Sequence, residues 1–108
     1  MNKLIAFSIL ACLPLASQAA GDAAAGKTKA AQVCAACHGA EGNKPLAPDQ
    51  PILAGQYPDY LVKALSDYKS GKRENPIMKG FASQLSTKDM EDLAAWFSGQ
   101  ATPLHNQR

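Results

Sequence analysis

The chain has 108 residues, 46% of them hydrophobic, with 11 Lys and Arg against 9 Asp and Glu and a formal net charge of +2. So small a charge lacks the basic excess of a nucleic-acid binder, which removes DNA and RNA as partners. So short a chain holds one domain with a core near the lower limit for independent stability, and something besides side-chain packing has to help it close.

Residues 1–19, MNKLIAFSILACLPLASQA, read as a secretory signal peptide. Lys3 gives the cationic start, Leu4 to Ala16 the apolar run, and Ser17-Gln18-Ala19 a small-residue exit with cleavage near Ala19. At about 13 residues the run is shorter than the roughly 18 that a bilayer span needs, so no transmembrane segment is expected in the mature chain. A lipoprotein cut before Cys12 fits poorly, because Leu10-Ala11 does not resemble the small-residue site used there. The exported chain keeps Cys34 and Cys37 and is close to neutral, and its compartment is the periplasm.

The remaining domain, residues 20–99, reads as all-α, because no segment alternates with period two. Asp22 caps a first helix that carries Gly26, Ala30, Val33, Cys34 and Cys37 on one face. A mid-helix glycine costs about 1 kcal/mol relative to alanine, so Gly26 reflects either a closely packed neighbouring helix, the reading preferred here, or mere tolerance. From Gly39 to Gly55 the Gly/Pro density predicts a long loop, of the kind that is commonly functional. A second helix starts at Pro58 and stops at Gly71, with Tyr57, Tyr60, Leu61, Ala64, Leu65 and Tyr68 as its apolar stripe. A second loop, GKRENPIMKG, then leads into a short helical stretch around FASQL. Ser86 and Asp89 form a capping box for a last helix that runs to about Ser98, with Met90, Leu93, Ala94 and Phe97 on one face and Trp96 beside it. Residues 100–108 are expected to be a flexible tail. Lys63, Lys69, Lys72, Arg73 and Lys79 cluster in one third of the chain, where the plain reading is a solvated face.

The stretch QVCAACHG concentrates the chemistry. A disulfide exchanger would set Cys-x-x-Cys at a helix start after a strand, and no strands are predicted. A structural zinc site needs four ligands, and beyond Cys34, Cys37 and His38 only the distant His105 could contribute. Neither chemistry explains why His38 follows Cys37 directly. Haem attachment uses all three residues. Two thiols about one helical turn apart can each add across a vinyl group, and the next residue then reaches over the ring and offers its imidazole to the iron. The tethered porphyrin also supplies the apolar plate that so small a core lacks.

With these residues in place the chain resembles the class I cytochromes c. More narrowly, it is similar to the small bacterial single-haem periplasmic type that looks like one half of the dihaem periplasmic cytochromes c. The resemblance covers essentially the whole exported chain, through AAGKTKAAQVCAACHGAEGN, PILAGQYPDYLVKAL, GKRENPIMKGFASQLS and KDMEDLAAWFSGQ. It implies about four helices wrapped around one haem c per chain, bound covalently through Cys34 and Cys37, with His38 as one axial ligand. It also implies a methionine as the other. Met78 lies in the loop NPIMKG, where a chain freed from helical geometry can turn its thioether toward the iron, whereas Met90 sits on the apolar stripe of the last helix and reads as core. His105, in the polar tail, is a poor second candidate. By the same resemblance Pro51 offers its carbonyl to the free ring N–H of His38, Leu53 packs on the haem face, and Gly26 meets Trp96 where the first and last helices cross. Lys44, Lys72, Arg73 and Lys79 would ring the exposed haem edge.

A haem whose two axial positions are both filled from the chain can only change oxidation state. The expectation is a periplasmic one-electron carrier, not an enzyme, acting as a monomer between redox protein partners such as a quinol-oxidising complex and a terminal oxidase or reductase. The alternatives are a cytochrome subunit of a larger redox enzyme complex and a ligand-binding haem protein with a labile sixth position.

Overall fold

The computed structural model describes residues 21–104, together with Ile5, Ala6, Ser8 and Ile9. The predicted cleavage site, Cys12 and most of the signal peptide lie outside the described residues, as does the tail from 105 onward with His105. Among the described residues all regular structure is helical, in the order α1 (Ala23–Val33), α2 (Ala35–His38), α3 (Pro58–Ser70), α4 (Pro76–Ala82) and α5 (Thr87–Ser98).

The caps explain where these helices begin. The Asp22 carboxylate accepts from the N–H groups of Ala24 and Ala25, which satisfies two of the four donors that a helix start leaves orphaned. In the capping box of α5 the Ser86 hydroxyl accepts from the Asp89 N–H while the Asp89 carboxylate accepts from the Ser86 N–H. Pro58 stands at the start of α3, and Gly71 ends it at φ 84°, a left-handed conformation that a side chain would strain.

Two elements differ from expectation. The first helix does not run unbroken through Cys37, because Cys34 adopts φ −114° and its carbonyl accepts from both Cys37 N–H (3.2 Å) and His38 N–H (3.0 Å), tightening the turn into the separate α2. The stretch NPIMKG is not a loop. Asn75 accepts from the N–H groups of Ile77 and Met78, and Pro76 supplies a pre-set φ, so α4 begins there and Met78 is a helical residue.

Helix α1 crosses α5 at close range. A Cβ on Gly26 would stand 1.9 Å from the Asp92 carbonyl oxygen and 2.9 Å from the Trp96 Cβ, so only glycine lets the two backbones approach this far. The core between the helices is thin. Among the described residues nine apolar ones are buried, four of them alanines, and Leu93 is the largest side chain to be almost wholly enclosed. Helix α3 packs on α5 through Leu61 and Leu65, while Tyr57 and Tyr60 of its stripe stay about half exposed. Past α5, Gln100 donates from its amide to the Trp96 carbonyl at 2.8 Å, and Thr102 lies against Gly55.

Candidate functional site

Tyr60, Leu61, Ala64, Leu65 and Tyr68 of the α3 stripe face a cavity of ≈ 490 Å³. Every helix contributes to its wall. Val33 and Cys34 come from α1 and the link after it, Cys37 and His38 from α2, Pro51 and Leu53 from the long loop. Met78 comes from α4, opposite in sequence to the cysteine turn, and lines the same space. Spacing explains the first cluster, since positions 34, 37 and 38 are one helical turn apart and share a face.

His38 is buried, and its Nδ1 lies 2.9 Å from the Pro51 carbonyl oxygen. A carbonyl can only accept, so Nδ1 carries the proton and Nε2 is left with its lone pair. Among the described residues Nε2 has no hydrogen-bond partner, so the ring is oriented and its Nε2 lone pair is left available for coordination. Cys34 and Cys37 are both free. Burial, with a smaller contribution from the neighbouring Cys37, pushes the Cys34 thiol up to about 11. A thiol held protonated is a poor disulfide exchanger, because the thiolate is the attacking species.

The predicted site residues Cys34, Cys37, His38, Met78, Pro51 and Leu53 therefore all reach one cavity. Met90 does not; it is 3% exposed in the core, with the Ser66 hydroxyl donating to its sulfur at 3.5 Å. Several wall residues carried no assignment beforehand, including Asp49, Tyr68, Asn75 and Phe81. Tyr68 was visible as a stripe position, whereas nothing in the sequence pattern placed Phe81 or Asn75 beside the cysteines.

The residues fit a haem. The cavity lies within the range of cofactor sites, its walls from Leu53, Leu61, Leu65, Leu85, Leu93 and Phe97 are apolar, and two thiols plus a nitrogen donor stand at one side. A helical domain wrapped around such a space, with both thiols and the imidazole on one turn, defines a c-type haem protein. Residues 23–100 match the Cytochrome c family model, and the chain belongs to that family. It is 53% identical over 102 residues to a cytochrome c4 of Pseudomonas aeruginosa, a match covering 93% of this chain and 49% of that protein. It is 43% identical over 84 residues to cytochrome c-554(548) of Halomonas halodenitrificans, covering 75% of this chain and 99% of that one. The crystal structure of reduced recombinant cytochrome c4 from Pseudomonas stutzeri superposes with a TM-score of 0.71 at 46% identity, over 79% of this chain and 48% of that one. The chain thus spans about half the length of the cytochromes c4 it matches, in keeping with its resemblance to one half of a dihaem protein. The fold is that of a class I cytochrome c, with haem c attached through Cys34 and Cys37.

Proposed function

We propose that the chain is a periplasmic one-electron carrier, not an enzyme, in which His38 and Met78 are the two axial ligands. The observation that carries this reading is that His38, with its Nδ1 committed to Pro51, and Met78 line the same cavity as the two cysteines. Haem c supplies a metal that exchanges one electron. With an imidazole and a thioether both held by the chain, no iron position remains for a substrate, and the thioether favours the ferrous form. Apolar walls keep water from the site, and Leu53 contributes to them. The export signal at residues 1–19 supports a periplasmic location, and among the described residues no helix is long and apolar enough to cross a membrane. Redox proteins are the partners, a quinol-oxidising complex on one side and a terminal oxidase or reductase on the other. Lys44, Lys72 and Lys79 are all exposed and available to an acidic docking face.

The test compares two methionines. Met78→Ala keeps its covalent haem, loses the weak near-infrared sulfur-to-ferric-iron band, shows a lower reduction potential and gains carbon monoxide binding when reduced. Met90→Ala keeps the band and loses about 2–5 kcal/mol of stability, because it empties a buried core position. A band that survives Met78→Ala and vanishes in Met90→Ala overturns the ligand assignment.

A further inference from the structure

Met78 stands on a helix that packing holds lightly. Helix α4 is seven residues long and buries only Ala82, while Ile77 and Phe81 stay exposed. A segment with so little buried apolar contact opens locally at low cost. Its inner face is nevertheless well defined. Met78, Phe81, Ala82 and Leu85 recur at i, i+3, i+4 and i+7, the spacing of one helix face, and Met78, Phe81 and Leu85 all line the cavity. Whatever fixes the Leu85 end of this face therefore also fixes how Met78 approaches the cavity.

Most of the bonds in the segment are local. Asn75 caps its start. The Ser83 hydroxyl donates to the Lys79 carbonyl at 2.6 Å, and the N–H groups of Gln84 and Leu85 donate to the Phe81 and Ala82 carbonyls at 3.2 and 3.1 Å, so the chain stays coiled past the helix end. None of these reaches another element. The bond that does comes from Lys69 in the last turn of α3, whose Nζ donates to the Leu85 carbonyl oxygen at 2.6 Å. Leu85 is buried, and a buried carbonyl outside a helix ladder needs a donor. An ammonium is a strong one, because a charged donor makes a hydrogen bond roughly twice as strong as a neutral one. Position 69 is also in register with Ser66 one turn earlier, whose hydroxyl donates to the Met90 sulfur of α5 at 3.5 Å. Lys63, on the same helix, pairs instead with Asp67 of α3 itself.

We propose that Lys69 is a positioning residue for the axial methionine: its ammonium straps the end of α4 to α3 through the Leu85 carbonyl and so holds Met78 against the iron. This gives Lys69 a role apart from the exposed lysines that offer charge to a partner. The inference rests on the reading of Met78 as a ligand.

A small ligand added from solution reaches the iron only when Met78 has moved away, so its apparent affinity scales with the fraction of molecules in which α4 is open. The experiment titrates ferric holoprotein with imidazole while the near-infrared sulfur band is followed, and measures amide hydrogen exchange along α4 in the same samples. Lys69→Met keeps the band before imidazole is added, binds imidazole about tenfold more tightly, and exchanges the Lys79 and Ser83 N–H groups faster by a similar factor, the order set by one charge-assisted hydrogen bond. Lys69→Arg, which keeps a charged donor, recovers part of both effects, and Lys69→Gln is read in place of the methionine variant if that one yields no holoprotein. Lys63→Met removes a cation from the same helix, and Asp92→Asn weakens the α1–α5 crossing; both leave imidazole affinity and α4 exchange where they are in wild type. In a Met78→Ala background α4 exchange still responds to residue 69, whereas imidazole affinity no longer does, because the iron is already open. Unchanged α4 exchange in Lys69→Met, unchanged imidazole affinity, or an affinity that still follows residue 69 without Met78 overturns the proposal. A sulfur band missing from wild type, or kept by Met78→Ala, fails the ligand reading itself and with it the positioning role, whereas exchange along α4 still decides whether the strap exists.

Discussion

The two sides of this molecule are finished by different means. Where α1 crosses α5, the protein completes itself. Gly26 admits the α5 backbone, the Asp22 N–H donates to Asp92 Oδ1 at 2.7 Å, Lys88 holds both Asp92 oxygens at 2.9 Å, and Trp96 donates its indole N–H to Ala40 at 3.0 Å. On the side built from α3 and α4, the wall faces a cavity, and Tyr60, Ile77 and Phe81 remain 48%, 69% and 40% exposed. One side is joined by backbone proximity and hydrogen bonds, the other by surface that awaits a plate. The division assigns most of the missing hydrophobic burial to the cofactor and most of the directional bonding to the helix crossing.

The largest effect should come from removing the plate. With Cys34 and Cys37 both replaced by alanine, haem is not retained through denaturing electrophoresis, and circular dichroism is expected to show no cooperative unfolding transition. Nine buried apolar residues, four of them alanine, are too little to offset the conformational entropy of a domain this size. A double variant that unfolds cooperatively without haem would show that the α3–α4 side closes on its own.

Two helix glycines sharpen the contrast further. Gly26→Ala gains about 1 kcal/mol of helix propensity yet puts a Cβ 1.9 Å from a backbone oxygen, where no flexible side chain can yield. The helices must separate, at a cost of about 3 kcal/mol or more. Gly80 of α4 has nothing within 4 Å of the corresponding position, so Gly80→Ala is expected to stabilise by up to about 1 kcal/mol. Denaturant midpoints of the two holoproteins should therefore move in opposite directions. Equal shifts of one sign would mean that the crossing is no tighter than the cavity rim.

How much of this was legible beforehand follows the same division. Asp22, Pro58, Gly71 and the Ser86–Asp89 box each act within a few residues, so the beginnings of α1, α3 and α5 and the end of α3 could be read from the sequence. Gly26 reads in the sequence as either a close approach or a tolerated glycine, and the α5 backbone beside it decides for the close approach. The start of α4 reads as loop although Asn75-Pro76 carries the same cap-and-proline signal as a helix start, because Gly71, Pro76 and Gly80 fall so close together that their breaker signal hides a helix of only seven residues. The break at Cys34 had no local marker. The α3 stripe was found, but its exposure was not foreseeable, since a pattern of apolar residues does not say whether protein or cofactor will cover it. Lys69 sat unremarkably in a basic cluster until the fold brought the Leu85 carbonyl within its reach.

The smallest predicted effect probes the bonded side alone, through Asp92. The Asp22 N–H is the main cause, and the Lys88 ammonium the next, that hold the Asp92 carboxyl below its ordinary 3.8. A depressed value in the folded state means that this carboxylate stabilises the fold above the unfolded value and that the contribution is lost as pH falls through the folded one. Asp89, lowered by the Ser86 backbone and hydroxyl, behaves in the same sense. Asp92→Asn keeps an acceptor for Asp22 but loses the charge. At neutral pH it is expected to cost on the order of 1 kcal/mol, or about 4–8 °C in thermal midpoint for a domain of this size. The gap to wild type should narrow as pH falls below 3.8, and close once pH has passed through the lower folded value and Asp92 is neutral in the folded wild type as well. Asp89 remains in the variant to contribute acid sensitivity of the same sign. A gap that stays constant down to low pH would mean that the carboxylate's charge contributes nothing to the crossing, and that the side the protein completes for itself is held by backbone fit alone.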